Sequence, residues 1–313
     1  MARLGRPDMT LVQLRYFVAA ATRRSMTEAS LDLHVAQSAV STAIAQLERS
    51  LGVQLFVRQR SKGLALTDAG EQLLRDTQSL LAQVDEMTDA VRGQHHDVRG
   101  TLRLACFTTI APFVLPRLIQ RVEQEHPDLR VEIIEADIDG TVELLLNGSV
   151  EGAIAYDFGR VHDLAFEPLY AAPPHVILSA GHPLARRKRL KLAELAGQDL
   201  VLLDLPHSRD YFLGMLRDAG VDPQIRYSSR SYETVRSLVA HGHGYSVLNH
   251  IPQSPRTYDG GELRAIAIQD AAAPLDVCFV RVKDVRPTAR ARVIASLARE
   301  LFGTPAPVVE RGA

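Results

Sequence analysis

The chain has 313 residues, 46% hydrophobic and 23% charged, with a formal net charge of −1. That length predicts two or more domains at about 150 residues each, and the composition is that of a globular protein rather than a disordered or fibrous one. No run of about 18 uncharged apolar residues occurs, so no membrane-spanning helix is expected; MARLGRPDMT lacks the apolar core of a secretory signal, so a cytoplasmic location is expected. The near-neutral total hides an asymmetry. Residues 1–66 carry nine basic and four acidic groups, whereas residues 67–97 carry two basic and seven acidic ones. A basic head followed by an acidic rod points to a polyanion met by the head alone.

Thr10-Leu-Val-Gln13 fits a capping box, and Leu11, Leu14, Phe17, Val18 and Ala21 give the first helix its apolar face. Ser25-Met-Thr-Glu28 fits a second capping box, opening a short helix to about Leu33. A turn of a few residues leads into a third helix whose apolar stripe is Val40, Ile44, Leu47 and Leu51. Its opposite face reads Gln37, Ser38, Ser41, Thr42, Ala45 and Gln46, with Arg49 at the far end. A merely solvated face would carry Lys and Glu. Short hydroxyls and alanine instead let base edges approach in a groove about 12 Å wide, and Gln can read adenine in a bidentate way. Three short helices with this turn match a helix-turn-helix, whose second helix enters the major groove. Strand-like Leu55–Val57 and Leu64–Leu66 then bracket Arg58, Arg60 and Lys62, a basic wing suited to phosphate or minor-groove contact. The expected DNA-reading set is therefore Gln37, Ser38, Ser41, Thr42, Gln46, Arg58 and Arg60.

The segment LRYFVAAATRRSMTEASLDLHVAQSAVSTAIAQLERSLGVQLFVRQRSKGLALTDAG resembles the winged helix-turn-helix of LysR-type transcriptional regulators. Matching positions include Ser25, Ala29, Leu33, Gln37, Ala39-Val40-Ser41, Ile44, Leu51-Gly52, Arg58 and Leu66 through Gly70. Three positions depart from the family pattern: Ser30 stands where alanine is usual, Ala36 where serine is frequent, and Ser38 where proline is often found. Ala36 is a poor helix cap, at a cost of about 1 kcal/mol.

From Thr67 to Arg92 runs one helical pattern. Leu73, Thr77, Leu80, Val84, Met87 and Val91 recur at spacings of four and three, a coiled-coil seam. Such a stripe also fits packing on the helix's own domain; the resemblance implies a dimerising linker helix, with Leu73, Leu80, Val84, Met87 and Val91 at the contact. RGQHHDVRG then reads as a hinge.

From Thr101 the pattern alternates strand and helix: TLRLACF, PFVLPRLIQRVEQEHPD, LRVEIIEA, GTVELLLNGS and EGAIAYD predict β-α-β-α-β and a parallel sheet. HVILSA, DLVLLD, QIRYSS, GYSVLN and LDVCFVRV supply further strands, and PTARARVIASLARELF a last helix. Several of these blocks resemble the effector-binding region of the same family, which is similar to type 2 periplasmic binding proteins. The resemblance implies two α/β subdomains joined by crossovers, here near Tyr170–Pro174 and Ala273–Asp276. The expected division is a DNA-binding domain at 1–66, a linker helix at 67–92, a hinge at 93–100 and an effector domain at 101–313. Within the last, subdomain I spans about 101–171 and 275–303, and subdomain II about 172–274.

Ligands of open α/β sheets sit beyond the carboxyl ends of strands. That rule selects Thr108 and Thr109, then His207, Ser208 and Arg209, and third Asn249. Hydroxyls at a helix start with nearby cations suit a small carboxylate; helix capping alone, or Arg209 paired with Asp210 or Glu233, would explain the same residues. The resemblance matches Thr109 to a hydroxyl that the family offers its effector. His241-Gly-His243 without a third fixed ligand is weak as a metal site and fits a turn, so no metal and no cofactor is expected. Cys106 and Cys278 fall in apolar runs and are expected as buried, reduced thiols. No hydrolase, metalloprotease, phosphate-loop or dinucleotide motif occurs, so no enzyme is expected. The expected protein is a DNA-binding regulator that meets a partly palindromic operator as a homodimer, tetramers being frequent in the family, and senses a small molecule. A solute-binding protein is the alternative, opposed by the basic head.

Overall fold

The computed structural model describes residues 9–59, 63–91, 98–159, 161–270 and 272–303. Helix α1 (Leu11–Arg23) opens on the expected capping box: the Thr10 hydroxyl accepts from Gln13 N–H at 3.2 Å, and the Gln13 side chain accepts from Thr10 N–H at 3.0 Å. Helix α2 (Met26–Asp32) is capped by the Ser25 hydroxyl, which accepts from Glu28 N–H. Helix α3 (Gln37–Leu51) starts at Ala36 without a side-chain cap. The strands β1 (Phe56–Gln59) and β2 (Gly63–Leu66) pair antiparallel as the wing. Glu48 fixes the start of that wing, its carboxylate accepting from the N–H groups of Leu55 at 2.8 Å and Phe56 at 3.2 Å. Phe17 and Leu47, both fully buried, pack with Leu14, Leu55 and Leu74 at the centre of the head.

Helix α4 (Asp68–Val91) grows out of the wing, capped by the Thr67 hydroxyl, which accepts from Gly70 N–H at 3.0 Å. Gly70 permits this junction, because a Cβ there would lie 2.2 Å from the Leu55 carbonyl oxygen. The first turns of α4 bury Leu74 and Thr77 against the head, with Leu73 half-buried beside them. Beyond them Leu80 and Met87 are exposed and Val84 is half-buried. The seam expected from the sequence is thus divided: Leu73 packs on its own head, while Leu80, Val84 and Met87 lie further out. The side chain of Val91 lies outside the described set.

Subdomain I contains β3 (Gly100–Phe107), α5 (Ala111–Glu125), β4 (Leu129–Ala136), α6 (Ile138–Leu146), β5 (Gly152–Tyr156), β6 (Leu164–Ala172), β13 (Leu275–Val282) and α9 (Ala289–Phe302). Its sheet order is β4-β3-β5-β13-β6. β4, β3 and β5 run parallel, as crossover helices α5 and α6 require. β13 runs antiparallel to both β5 and β6, so the sheet is mixed rather than parallel. Subdomain II contains β7 (His175–Ser179), β8 (Arg189–Leu190), β9 (Asp199–Leu203), α7 (Ser208–Asp218), β10 (Gln224–Ser229), α8 (Tyr232–Ala240), β11 (Ser246–Leu248) and β12 (Leu263–Ile268), with 3-10 turns at Pro183–Arg186 and Leu192–Leu195. β11, β7, β12 and β8 are neighbours in that order; β10 pairs with β9, and a bridge between Leu200 and Tyr245 joins β9 to the start of β11. β6 and β12 are strands the sequence reading did not anticipate. One apolar cluster, around Leu104, Leu118, Ile154 and Phe279, runs from subdomain I into subdomain II, where it takes in Val201, Val235 and Leu248; a second, around Leu178, Leu200, Leu216 and Tyr245, lies within subdomain II.

Cys106 and Cys278 are both free and fully buried. Cys106 pairs in register with Ile154, whereas Cys278 pairs with Ala155, the next residue of β5. Alternation along a strand therefore sets the two thiols two strands apart and on opposite faces, out of reach of a disulfide.

Candidate functional site

On the head, the apolar stripe of α3 faces inward: Val40, Ile44 and Leu47 are buried. Gln37, Ser38, Thr42, Ala45 and Gln46 are exposed on the other side, and Ser41 is half-buried. Gln46 accepts a hydrogen bond from the Gln13 amide at 3.2 Å, which holds it against α1. The only carboxylate of this helix, Glu48, is turned to the wing, so the outer face is uncharged from Gln37 to Gln46 and ends on the exposed Arg49. Arg58 sits on β1 with its backbone opposite Leu64; its side chain, and the whole of Arg60, lie outside the described residues. Gln37→Ala is expected to weaken binding to the cognate site by about 1–3 kcal/mol and to leave binding to random duplex nearly unchanged. Fluorescence anisotropy titrations on both duplexes check this, and equal losses on the two would remove Gln37 from base readout.

A narrow cavity of about 10 Å³, room for about one water molecule, lies between the subdomains. Thr109, at the carboxyl end of β3, lines it and is 5% exposed; Ser208, the first residue of α7, lines it from subdomain II and is 4% exposed. Asn249, just past β11, completes the set that the strand-end rule selected. Its amide donates to the Ala172 carbonyl at 2.8 Å and to the Tyr211 hydroxyl at 3.3 Å, while Tyr211 donates to the Ala273 carbonyl at 2.8 Å. Asn249 thereby ties the cavity to both crossovers.

Three lining residues were not selected from the sequence: Tyr156, Tyr232 and His250. The His250 ring meets the Tyr156 hydroxyl through Nδ1 at 2.5 Å and the Tyr170 hydroxyl through Nε2 at 2.8 Å. Its carbonyl accepts from Tyr232 at 2.6 Å. Burial pushes His250 down to about 4, so the ring is neutral and donates through one nitrogen while accepting through the other. Burial likewise raises the phenols of Tyr156, Tyr170 and Tyr232, which stay protonated; a bond from Thr109 partly offsets the shift at Tyr156. The carboxyl end of β5, where Tyr156 stands, is the signal that would have found it.

The expected cations are not in the cavity. Arg209 turns back to Asp204 at 3.0 Å. His207 lies 3.4 Å from Asp139 of α6, with its backbone at φ +61°, a left-handed conformation uncommon outside glycine. Thr108 also misses the cavity, its hydroxyl reaching Glu135 at 3.4 Å. Asp137 caps α6 and pairs with Arg230 of subdomain II. The Asp137–Arg230 ion pair and the contact of His207 with Asp139 thus join the subdomains. The remaining histidines separate: His241 Nδ1 bonds the Ser237 carbonyl and His243 packs on Tyr227. Among the described residues no group of three or more His, Cys, Asp or Glu could hold a metal, and no helix is long and apolar enough to cross a membrane.

The model of the bacterial regulatory helix-turn-helix protein, lysR family, matches residues 11–71, and that of the LysR substrate binding domain matches residues 95–303. A protein of Pectobacterium carotovorum named hydrogen peroxide-inducible genes activator is 30% identical over 77% of this chain and 80% of its own. A putative LysR family transcriptional regulator from Pseudomonas aeruginosa is 33% identical, with a TM-score of 0.64 over 94% of this chain and 99% of its own. Full-length OxyR from the same organism gives a TM-score of 0.75 at 26% identity, over 93% of this chain and 95% of its own. The chain therefore belongs to the LysR family: it is a DNA-binding transcriptional regulator, not an enzyme, with a helix-turn-helix head and an effector-binding domain.

Proposed function

We propose that a homodimer of this chain, able to assemble further to a tetramer, reads a partly palindromic operator in the cytoplasm. Residues 1–66 supply the readout, with Gln37, Ser38, Ser41, Thr42 and Gln46 facing bases and Arg58 and Arg60 facing the backbone or minor groove. Residues 67–92 join the protomers, 93–100 form the hinge, and 101–313 take the effector. Apolar Ile133 on β4 and Ile225 and Tyr227 on β10 are exposed at the two sheet edges and support assembly through the effector domains as well.

The effector of this reading is a small, uncharged, hydrogen-bonding molecule held by Thr109, Tyr156, Ser208, Asn249 and His250. The observation that carries it is the neutrality of the cavity lining: Arg209 and His207, the residues that favoured a carboxylate, stand outside it and face Asp204 and Asp139. A carboxylate entering this cavity would lose its hydration without meeting a counter-charge. Hydrogen peroxide is a molecule of this kind, and relatives are named as activators of peroxide-inducible genes. A thiol readout of it does not fit, since Cys106 and Cys278 lie inside the sheet and burial raises both, Cys278 to about 12. Binding of small alcohols, phenols, hydrogen peroxide and the matching carboxylates to the full chain tests the class by calorimetry. Thr109→Val keeps the side-chain volume, and its loss of a hydroxyl is expected to weaken the neutral ligand by about 1–3 kcal/mol. Unchanged affinity in the variant, or a cleft that takes the carboxylates alone, would contradict the assignment.

A further inference from the structure

A larger cavity lies away from the cleft, where α4 passes subdomain I. It offers about 90 Å³ of enclosed room, enough for a small molecule of a few heavy atoms, and opens to solvent. The contact beside it is close. The Gln78 amide of α4 donates to the Asn147 carbonyl at 2.8 Å. Gly148 follows at φ +65°, and a Cβ there would fall 1.6 Å from the Gln78 amide oxygen. Nearby, Arg24 of the head meets Glu143 of α6 at 2.6 Å. The cavity is therefore a defined space beside a seated helix, not a gap between parts that fail to touch.

Its lining combines apolar and cationic residues. Leu145, Val150, Val282, Val285 and Pro287 supply the apolar wall. Three guanidinium groups, Arg75, Arg281 and Arg286, line it against one carboxylate, Glu151. That carboxylate is already engaged, accepting from the Thr288 hydroxyl at 2.6 Å and lying 3.7 Å from Arg290 Nε. Arg281 is held by Glu167 at 2.9 Å. Arg75 reaches only the neutral Gln72 amide, and among the described residues neither Arg75 nor Arg286 meets a carboxylate. Two cations with uncommitted donors over an apolar wall match one ligand chemistry: a carboxylate head with a short hydrocarbon body.

We propose that this cavity is a second ligand site, distinct from the cleft, for a small amphipathic carboxylate. Its position gives it a role the cleft lacks. The ligand would touch α4, continuous with the DNA-reading head, and subdomain I at once, so its occupancy bears directly on how the head is held. The inference stands apart from the reading of the cleft, which concerns an uncharged molecule on other residues.

The test is calorimetry on the full chain with butyrate, hexanoate and octanoate, with hexanol and inorganic phosphate beside them. Saturable binding of a carboxylate at a Kd below about 10 mM is expected, with no comparable binding of hexanol or phosphate. The double variant Arg75→Gln, Arg286→Gln is expected to weaken it at least about tenfold, and the charge-retaining pair Arg75→Lys, Arg286→Lys to restore most of it. A circular dichroism melt equal to that of the parent shows the variants folded; a variant that fails this is replaced by Val285→Glu, which sets a carboxylate against the incoming one. Absence of saturable carboxylate binding would overturn the proposal. So would affinity retained in the double variant, which would seat the carboxylate elsewhere, or phosphate binding as well as hexanoate, which would leave the apolar wall without a part.

Discussion

Leu80→Asp is expected to part the two protomers along α4 and to weaken operator binding with them. The first turns of α4 are consumed by the head, where Leu74 and Thr77 are 1% and 2% exposed. Past that point the same helix leaves Leu80 43% and Met87 68% exposed, on the seam whose spacing continues from Leu73. In the proposed dimer this stripe faces a second copy and buries these side chains in the manner of a coiled coil. An aspartate at Leu80 places an unpaired carboxylate in that contact at a cost of several kcal/mol, because its hydration is lost without a partner. The operator affinity of a two-headed protein falls with it, since each head then binds its half-site alone. Light scattering is expected to give half the parental mass, for a dimer held by this seam and for a tetramer that keeps its contacts between effector domains. An unchanged mass would show that α4 is not the contact.

Phe17→Ala unfolds the head and spares the effector domain. Phe17 is fully buried, its ring centroid 5.4 Å from that of Phe56 at a 56° tilt, and it touches the cluster holding Leu47, Leu55 and Leu74. Truncating a buried phenylalanine costs about 3–5 kcal/mol. Stability of about 0.05–0.15 kcal/mol per residue leaves a head of this size little more than that to lose. Denaturant melts are expected to show the head's transition moved to low denaturant or lost, with that of the effector domain unmoved. DNA binding disappears while ligand binding persists. A parental head transition in the variant would mean that the packing around Phe17 is not what holds the three helices together.

Periodicity and capping made the head readable. The Thr10–Gln13 box and the stripe of Val40, Ile44 and Leu47 are local, and local rules suffice for them. The strand-end rule found Thr109, Ser208 and Asn249 because backbone position alone carries them to the cleft. Thr108, His207 and Arg209, selected by the same rule, stand outside the cavity lining, facing Glu135, Asp139 and Asp204; two of these three partners lie far off in sequence. Tyr156 and His250 were overlooked for another reason: a tyrosine closing an apolar strand, or a histidine after a turn, looks like ordinary core until the fold sets one against the other. The direction of β13 was equally illegible, since a run such as LDVCFVRV specifies a strand and not its orientation. β6 was hidden by Glu167 and Pro168, which break its apolar alternation, and its pairing with β13 is irregular just past Pro168. For α4 the seven-residue pattern gave the stripe but not its division between the head and a partner.

The central claim is that a symmetric pair of these heads reads DNA sequence through the face of α3 that runs uncharged from Gln37 to Gln46. Selection of bound duplexes from a random pool by the full chain tests it most directly. The account predicts enrichment of an inverted repeat whose half-sites are centred about 34–36 Å apart, one helical turn, or a multiple of it. A single unrepeated motif, or no enrichment over random duplex, would contradict it.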